Sequence, residues 1–128
     1  MILPFLTIAS SNKRGRGVFT TETIEAHITI EIAPVIVVDA SGREKLEQTL
    51  LYDYIFEWGA DSKMAAVALG YISMYNHSNN PNCAYEMDFE NETISIKTLH
   101  AIKTGEELFI NYMCPEGPSS EPVWFEQH

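Results

Sequence analysis

The sequence predicts a mostly β protein with small helices, built from short strands. Residues 24–38 are rich in Ile and Val, and β-branched side chains favour the pleated backbone of a strand. Residues 85–87 and 93–99 lie on either side of the turn-forming segment 88–92, which is typical of a hairpin. The best helical pattern covers only residues 42–51, so helices are a minor part of the predicted structure.

The first elements along the chain are predicted strands. Residues 1–9 are apolar but lack the basic residues that begin a signal peptide, and we interpret them as a first strand. The β-branched tract that follows contains Pro34. Because proline cannot donate to a strand ladder, we expect two short strands with a bend between them.

A helix is predicted after this tract. Residues 41–44 form a capping-box pattern, Ser-Gly-Arg-Glu, which marks the beginning of a helix. Leu46 and Leu50 lie four residues apart and therefore share one helix face. We expect this helix over residues 42–51.

The C-terminal part returns to β structure and then to turns. Residues 108–111 are predicted to form a last short strand, and the Pro- and Gly-containing segment 114–122 directs residues 123–125 back toward an apolar surface. The chain has 128 residues without an evident linker or repeat. We therefore expect a single domain over 1–128 that buries its core without metal or disulfides.

The charge and the cysteines limit the possible partners and compartment. Eighteen acidic and eight basic residues give a net charge of −10, which argues against direct binding to nucleic acid or an anionic membrane and favours a basic partner. The alternative is that acidity only maintains solubility. Cys83 and Cys114 form no Cys-x-x-Cys pair, so an intracellular, reducing compartment (cytoplasm or nucleus) is expected, without secretion or a membrane span.

The most informative segment is the polar loop 76–83, which reads Asn-His-Ser-Asn-Asn-Pro-Asn-Cys. Asn bonds its own backbone and Pro removes a donor, so this segment does not favour a regular element. Apolar residues 65–69 and the strand-like residues 85–87 flank it, and they should hold the loop against the core. An ordered polar loop is a strong candidate for a functional site.

Four motifs together resemble the ordered signature of the SET domain family. They are Arg14-Gly15-Arg16-Gly17-Val18-Phe19, Asp53-Tyr54-Ile55-Phe56, Asn76-His77-Ser78 with Pro81-Asn82, and Gly105-Glu106-Glu107-Leu108 with Tyr112. This family consists mainly of S-adenosylmethionine-dependent protein lysine methyltransferases. The resemblance extends over about residues 7–112, leaves 113–128 as a flanking tail, and is similar to the minimal virus- and prokaryote-type members.

The resemblance implies a SET-domain fold of short curved β-sheets with a C-terminal pseudoknot. The Asn-His-Ser segment would be tucked through a loop formed by the C-terminal segment. Each of the two motifs would then be ordered by packing on the other, and cofactor and substrate would meet beside their crossing.

A glycine-containing loop is the first implied cofactor-binding element. Gly15 and Gly17 permit positive φ and close backbone approach, so a loop over 13–17 could enclose the methionine end of S-adenosylmethionine. Lys13 or Arg16 would lie near the cofactor carboxylate. The alternative is a simple Gly-rich turn between strands.

Two residues of the polar loop are implied to hold the rest of the cofactor. Asn76 would act through its side chain, and His77 through backbone contacts to the adenine. The alternative for His77 is a structural role, in which the imidazole does not titrate during catalysis. A Cys83/His77 nucleophile pair is a further alternative, although no third orienting group supports it.

Tyr112 and Tyr54 are the residues expected to carry the chemistry. Methyl transfer needs a neutral amine in line with the methyl group, and aromatic walls favour the neutral amine by excluding water. The tyrosine hydroxyls could orient the amine or contact the polarised methyl group. The alternative for both residues is core packing.

Tyr85 and Ile110 are the candidates for setting the width of the lysine channel. In some family members a tyrosine at the position of Tyr85 narrows the channel, which would favour monomethylation. Ile110 occupies the position of the family's usual Phe/Tyr switch. The alternative for Tyr85 is a cross-strand surface position.

The chain also departs from the family pattern. Asn79 replaces a common Cys, Ser73 replaces a common Arg, and Cys114 is the only cysteine of the tail. No metal site is therefore expected. Trp124 and Phe125 would then have to wall the channel and cover the cofactor. The alternative is that they form an apolar anchor for the C-terminus or a homodimer contact.

These observations predict methyl transfer from S-adenosylmethionine to a lysine of a basic protein, such as a histone, another chromatin protein or a ribosomal protein. S-adenosylhomocysteine would be the second product. The main alternative is an inactive module of the same fold that binds lysine-rich peptides or dimerises. An acidic mimic of nucleic acid is less favoured because the acidic residues are scattered along the chain.

Overall fold

The computed structural model of the protein describes residues 1–12 and 15–118. These residues form nine strands, one α-helix and two short 3-10 helices. The strands are β1 (Leu6–Ser11), β2 (Gly15–Thr20), β3 (Thr29–Val38), β4 (Ile55–Trp58), β5 (Met64–Ala68), β6 (Asn76–His77), β7 (Cys83–Asp88), β8 (Thr93–Thr98) and β9 (Glu107–Ile110). The helices are α1 (Ala40–Leu46) and the 3-10 helices η1 (Leu50–Asp53) and η2 (Ile72–Met74).

The strands form two sheets. The first has four strands in the order β1-β2-β9-β6, and the second has five in the order β4-β5-β3-β8-β7. All neighbouring pairs are antiparallel except β6 and β9, which are parallel. The core contains fully buried side chains from both sheets, namely Val18, Ile30, Ile94, Ile96, Leu108 and Ile110.

Strand β3 is continuous through Pro34, so the prediction of two strands with a bend was wrong. Residues up to Pro34 pair with β8, whereas those from Val35 onward pair with β5. The Val35 N–H points toward the β7–β8 turn, where it donates to the Glu92 carbonyl at 2.9 Å. The Pro34 nitrogen therefore faces the β5 side, where the ladder begins only at the next residue, and no hydrogen bond is lost.

Helix α1 is shorter than predicted and begins earlier. The carboxylate of Asp39 accepts a hydrogen bond from Gly42 N at 2.8 Å and caps the helix two residues before Ser41. Thr49 then caps the separate 3-10 helix η1. Leu50 is 81% exposed, so the shared apolar face predicted with Leu46 is not formed.

The other predicted strands are present with shifted ends. The hairpin is formed by β7 and β8, the last strand is β9, and the first strand is β1, which begins at Leu6 rather than at the chain start. Strands β2, β4 and β5 were not predicted. Within the described residues, none of the helices has the length and apolar character required to cross a bilayer.

Candidate active site

A cleft of about 1260 Å³ lies where the two sheets meet. It is lined by the β1–β2 hairpin, by η1 and β4, by the segment from η2 to Ser78, by β7, and by the chain from β9 to Pro115. The predicted site residues Gly15, Arg16, Tyr54, Asn76, His77, Tyr85 and Tyr112 all line it. All four motifs, which are far apart in the sequence, therefore contribute residues to one cavity.

The floor of the cleft is formed where the polar loop crosses the C-terminal segment. In parallel register, Asn76 is opposite Phe109 and His77 is opposite Ile110. Ser78 N donates to the Ile110 carbonyl at 3.0 Å. Parallel pairing turns the main-chain groups of residues 76 and 78 toward β9, so those of His77 point to the opposite edge of the sheet.

Asn82 holds the loop against β9. Its amide nitrogen donates to the Glu107 carbonyl at 2.9 Å, and its amide oxygen accepts from Phe109 N at 2.8 Å. One side chain thus replaces the two hydrogen bonds that a neighbouring strand would make. This explains why the Asn- and Pro-containing residues 78–82, which form no helix or strand between β6 and β7, are nevertheless ordered.

The imidazole of His77 is a structural element of the crossing. It is 3% exposed, and its Nδ1 accepts from Tyr112 N at 3.0 Å. Because Nδ1 is an acceptor, the proton of the neutral ring is on Nε2, which lies 2.9 Å from Asn79 Oδ1 and donates to it. The ring therefore connects the loop to the backbone of the predicted catalytic tyrosine.

Gly15 and Gly17 are required for different reasons. Gly15 has φ of +73° at the start of β2, a conformation that favours glycine. Gly17 has no positive φ, but a Cβ there would overlap the Glu107 carboxylate and lie 2.8 Å from Asn76 Nδ2. The predicted wrapping loop is thus partly a strand, and its second glycine makes room for two other side chains.

Glu107 is a site residue for which no role was predicted from the sequence. Its Oε2 accepts from Asn76 Nδ2 at 2.7 Å, and its Oε1 accepts from Ser11 Oγ at 2.6 Å. Asn76 Nδ2 also donates to the Arg16 carbonyl at 3.1 Å. Since both partners can only accept, the amide of Asn76 has a single orientation, with Oδ1 directed away from them. The signal in the sequence was an acidic residue next to apolar Leu108 in the last strand.

The predicted catalytic tyrosines lie around the crossing. The Tyr112 hydroxyl donates to the Tyr75 carbonyl, and the Tyr85 hydroxyl donates to the Tyr112 carbonyl at 2.9 Å. Tyr54 is 41% exposed, and the Ser73 hydroxyl donates to its carbonyl at 2.8 Å. Tyr112 is therefore connected to both segments of the crossing.

Tyr85 is a buried residue of the cleft wall. It is 6% exposed, and its ring packs edge-on against Phe56 with a centroid distance of 5.8 Å. Burial raises the pKa of its hydroxyl, so the group remains protonated and donates at neutral pH. The alternative of an exposed cross-strand tyrosine is therefore wrong.

Ile110 does not line the cleft. It is fully buried in the hydrophobic core, and the cleft is lined by the preceding residue, Phe109. Adjacent residues of a strand face opposite sides, so a one-residue shift moves a side chain from channel to core. The prediction of Ile110 as a channel-lining residue does not agree with this geometry.

The sequence model of the SET domain matches residues 15–113, which include the whole crossing and the cleft described above. The chain belongs to the SET domain family. Over 122 residues it is 38% identical to a Schizosaccharomyces pombe histone-lysine N-methyltransferase specific for H3 lysine-37, and the match covers 94% of this chain and 77% of that protein.

A solved structure supports the same family. A Plasmodium falciparum protein assigned as a histone methyltransferase superposes with a TM-score of 0.67 at 25% identity, covering 97% of this chain and 99% of that one. The predicted family, the mostly β SET fold and the assignment as a protein-lysine N-methyltransferase are confirmed by these matches.

Three predicted site residues of this SET domain cannot be compared with the geometry. Lys13, Trp124 and Phe125 lie outside the described residues. In the described parts of the chain, no group of three or more His, Cys, Asp or Glu side chains is arranged to hold a metal ion.

The Cys83/His77 nucleophile pair is not supported by the geometry. The hydrogen bonds described for the His77 ring nitrogens involve Tyr112 and Asn79. Cys83 is completely buried, and burial raises the pKa of its thiol to about 12. The thiol is therefore neutral at physiological pH and a poor nucleophile.

This burial predicts that Cys83 resists alkylation in the native protein. At pH 8, which is far below the raised pKa, iodoacetamide should leave Cys83 unmodified for hours, and peptide mass spectrometry measures this directly. In urea both cysteines should react, which is the matched control. Rapid labelling of Cys83 in the folded protein would contradict the buried position.

Proposed function

We propose that the protein transfers a methyl group from S-adenosylmethionine to the lysine side chain of a basic, histone-like protein. The observation that carries this proposal is the crossing itself, which places Asn76 and His77 beside Tyr112 in one cleft. A histone substrate of this kind implies a nuclear or otherwise intracellular site of action. We also propose that residues 1–128 act as one SET domain.

The Gly15–Gly17 edge and Asn76 are proposed to hold the cofactor. Asn76 Oδ1 is directed away from Arg16 and Glu107 by the two bonds of its amide nitrogen, and an amide oxygen suits an ammonium donor. The main-chain groups of His77 point away from β9 and can read an adenine edge. When bound, the cofactor supplies an electrophilic methyl group.

The tyrosines are proposed to prepare the target lysine. Its reference pKa is near 10.4, so neutralising the amine at pH 7 costs on the order of 4 to 5 kcal/mol. The aromatic walls formed by Tyr54, Phe56 and Tyr85 favour the neutral amine by excluding water. The Tyr112 hydroxyl donates its proton to the Tyr75 carbonyl, and its oxygen is the acceptor that we propose for an N–H of the amine.

The rim of the cleft fits a basic substrate. Glu47, Asp53 and Glu57 line it. Arg43 forms ion pairs of 3.1 Å with both Glu47 and Glu57, so two of the three acidic groups share one cation. The remaining negative charge, together with the net charge of −10, attracts Lys- and Arg-rich segments.

Two measurements test this function. Isothermal calorimetry with S-adenosylhomocysteine should show stoichiometric binding, and tritiated methyl groups should be incorporated into histones. The protein could bind S-adenosylhomocysteine but transfer no tritiated methyl group to histones or to any protein of a cell lysate. This result would contradict the proposed methyl transfer and favour a binding module. Absence of cofactor binding would reject the proposal.

A product-state prediction follows from Tyr85. Replacement of Tyr85 by Phe removes the hydroxyl that donates to the Tyr112 carbonyl and widens the channel by one polar atom. We expect mainly monomethyl-lysine from the wild type and several-fold more di- and trimethyl-lysine from Tyr85→Phe, measured by mass spectrometry of a histone peptide. Equal product ratios at matched turnover would remove the role of this hydroxyl.

A further inference from the structure

Glu31 of β3 is a fully buried acidic residue outside the cleft. Its Oε2 accepts from Tyr71 N at 2.7 Å, and its Oε1 accepts from the Tyr75 hydroxyl at 2.9 Å. Tyr75 is also completely buried. A carboxylate in the core is costly compared with an apolar side chain of similar size, so its position calls for a physical reason.

The two hydrogen bonds hold both ends of η2. Tyr71 precedes Ile72–Met74, and Tyr75 follows it. At Gly70, which has φ of +64°, a Cβ would overlap the Glu31 carboxylate, so the chain approaches Glu31 as closely as glycine permits. One side chain of the five-stranded sheet therefore fixes the segment that leads directly into β6.

This segment contains the group that orients the proposed catalytic tyrosine. The carbonyl of Tyr75 accepts the hydroxyl proton of Tyr112. The side chain of Tyr75 is held by Glu31, so its carbonyl has little freedom to move. We propose that Glu31 is a positioning residue for Tyr112, acting through Tyr75, and this inference rests on the function proposed above.

The hydrogen bond from the Tyr75 hydroxyl to Glu31 supports this positioning role. Burial and the neighbouring Glu31 carboxylate raise the pKa of Tyr75, so its hydroxyl keeps its proton and is the donor. Burial also raises the pKa of the Glu31 carboxyl, and the bonds from Tyr71 and Tyr75 oppose this only in part. Even when the carboxyl is protonated, each oxygen of Glu31 can accept its hydrogen bond from Tyr71 or Tyr75. Holding η2 in this way does not require an ion pair.

The test compares Glu31→Ala with Glu31→Gln in single-turnover methyl transfer at saturating cofactor and peptide. A glutamine keeps both contacts with the second hydrogen bond reversed, because its oxygen can accept from Tyr71 N–H and its amide can donate to the Tyr75 hydroxyl oxygen. We expect Glu31→Gln to stay within threefold of the wild-type rate and Glu31→Ala to be roughly 10- to 30-fold slower, with S-adenosylhomocysteine affinity within threefold. A loss that appears in cofactor affinity instead would overturn the proposal.

A matched control separates positioning from general destabilisation. Thr98 is equally buried and makes two hydrogen bonds away from the cleft, to the Glu25 carbonyl at 2.7 Å and from Ile28 N at 2.9 Å. Thr98→Val should lower the melting temperature without slowing methyl transfer at a temperature where all variants are folded. Equal slowing by Thr98→Val and Glu31→Ala would overturn the proposal.

A double-mutant cycle and a structural readout complete the test. In a Tyr112→Phe background, Glu31→Ala should add less than a twofold further loss, whereas a fully multiplicative loss would show that Glu31 acts elsewhere. The Tyr112 resonance in ¹³C-tyrosine NMR should shift in Glu31→Ala and return in Glu31→Gln. This readout needs no activity, so an unshifted resonance overturns the inference even if the wild type transfers no methyl group.

Discussion

Tyr112→Phe is expected to slow methyl transfer by about 100-fold, on the order of 2.7 kcal/mol in activation free energy. The variant keeps the aromatic wall and the hydrogen bond from Tyr112 N to His77. It loses the hydroxyl that donates to the Tyr75 carbonyl and that is proposed to orient the amine. Removing one such pre-oriented group costs about 100- to 1000-fold in comparable sites. Single-turnover kinetics with a histone peptide measure the effect.

The binding of the cofactor product separates chemistry from folding in this experiment. S-adenosylhomocysteine affinity should remain within about threefold, since the changed atom is not among the groups proposed to hold the cofactor. Tyr52→Phe is the matched control, because Tyr52 is an exposed tyrosine at the rim of the same cleft. It should change the rate by less than about twofold. A Tyr112→Phe enzyme with full activity would refute the catalytic role.

Gly17→Ala is expected to weaken S-adenosylhomocysteine binding by about 100-fold or more, close to 2.7 kcal/mol. The new Cβ would occupy the space of the Glu107 carboxylate and lie 2.8 Å from Asn76 Nδ2. Both side chains must move, and the orientation of the Asn76 amide is lost with them. Isothermal calorimetry measures the affinity, and circular dichroism establishes whether the variant is folded.

Gly105→Ala provides the control for this substitution. Gly105 has φ of +87° and no heavy atom within 4 Å of an added Cβ. Its replacement should therefore cost about 1 kcal/mol of stability through backbone strain and leave the affinity for S-adenosylhomocysteine unchanged. If Gly17→Ala bound as tightly as Gly105→Ala, the contact between Gly17, Glu107 and Asn76 would have no part in cofactor binding.

The sequence was most informative where local chemistry decides the structure. The alternation in residues 93–99 predicted β8 correctly, because one face of that strand is buried and the pattern records it. The four ordered motifs were sufficient for the family, since they combine side chains from segments that the fold brings together in one cleft. The ordered loop could also be predicted, although its anchor, the side chain of Asn82, could not.

Other features depended on contacts between distant residues. Pro34 interrupts no ladder because β3 changes its partner at that point, and nothing near Pro34 in the sequence indicates this. Ile110 was predicted to line the channel, but the residue before it, Phe109, lines the cleft. Which face of β9 points toward the cleft depends on the register between β6 and β9. Glu31 was not recognised since its partners are Tyr71 and Tyr75, 40 and 44 residues away.

The parallel pairing of β6 with β9 has a consequence for synthesis of the chain. Residues 76 and 77 leave the ribosome some thirty positions before the strand that completes their hydrogen bonds. A nascent polypeptide that ends before β9 therefore has Asn76 and His77, which are proposed to hold the cofactor, without the strand that completes the cleft, and the cleft forms late, in one long-range step. Loop closure of this kind slows folding, so the enzyme becomes active only after most of its domain has been translated.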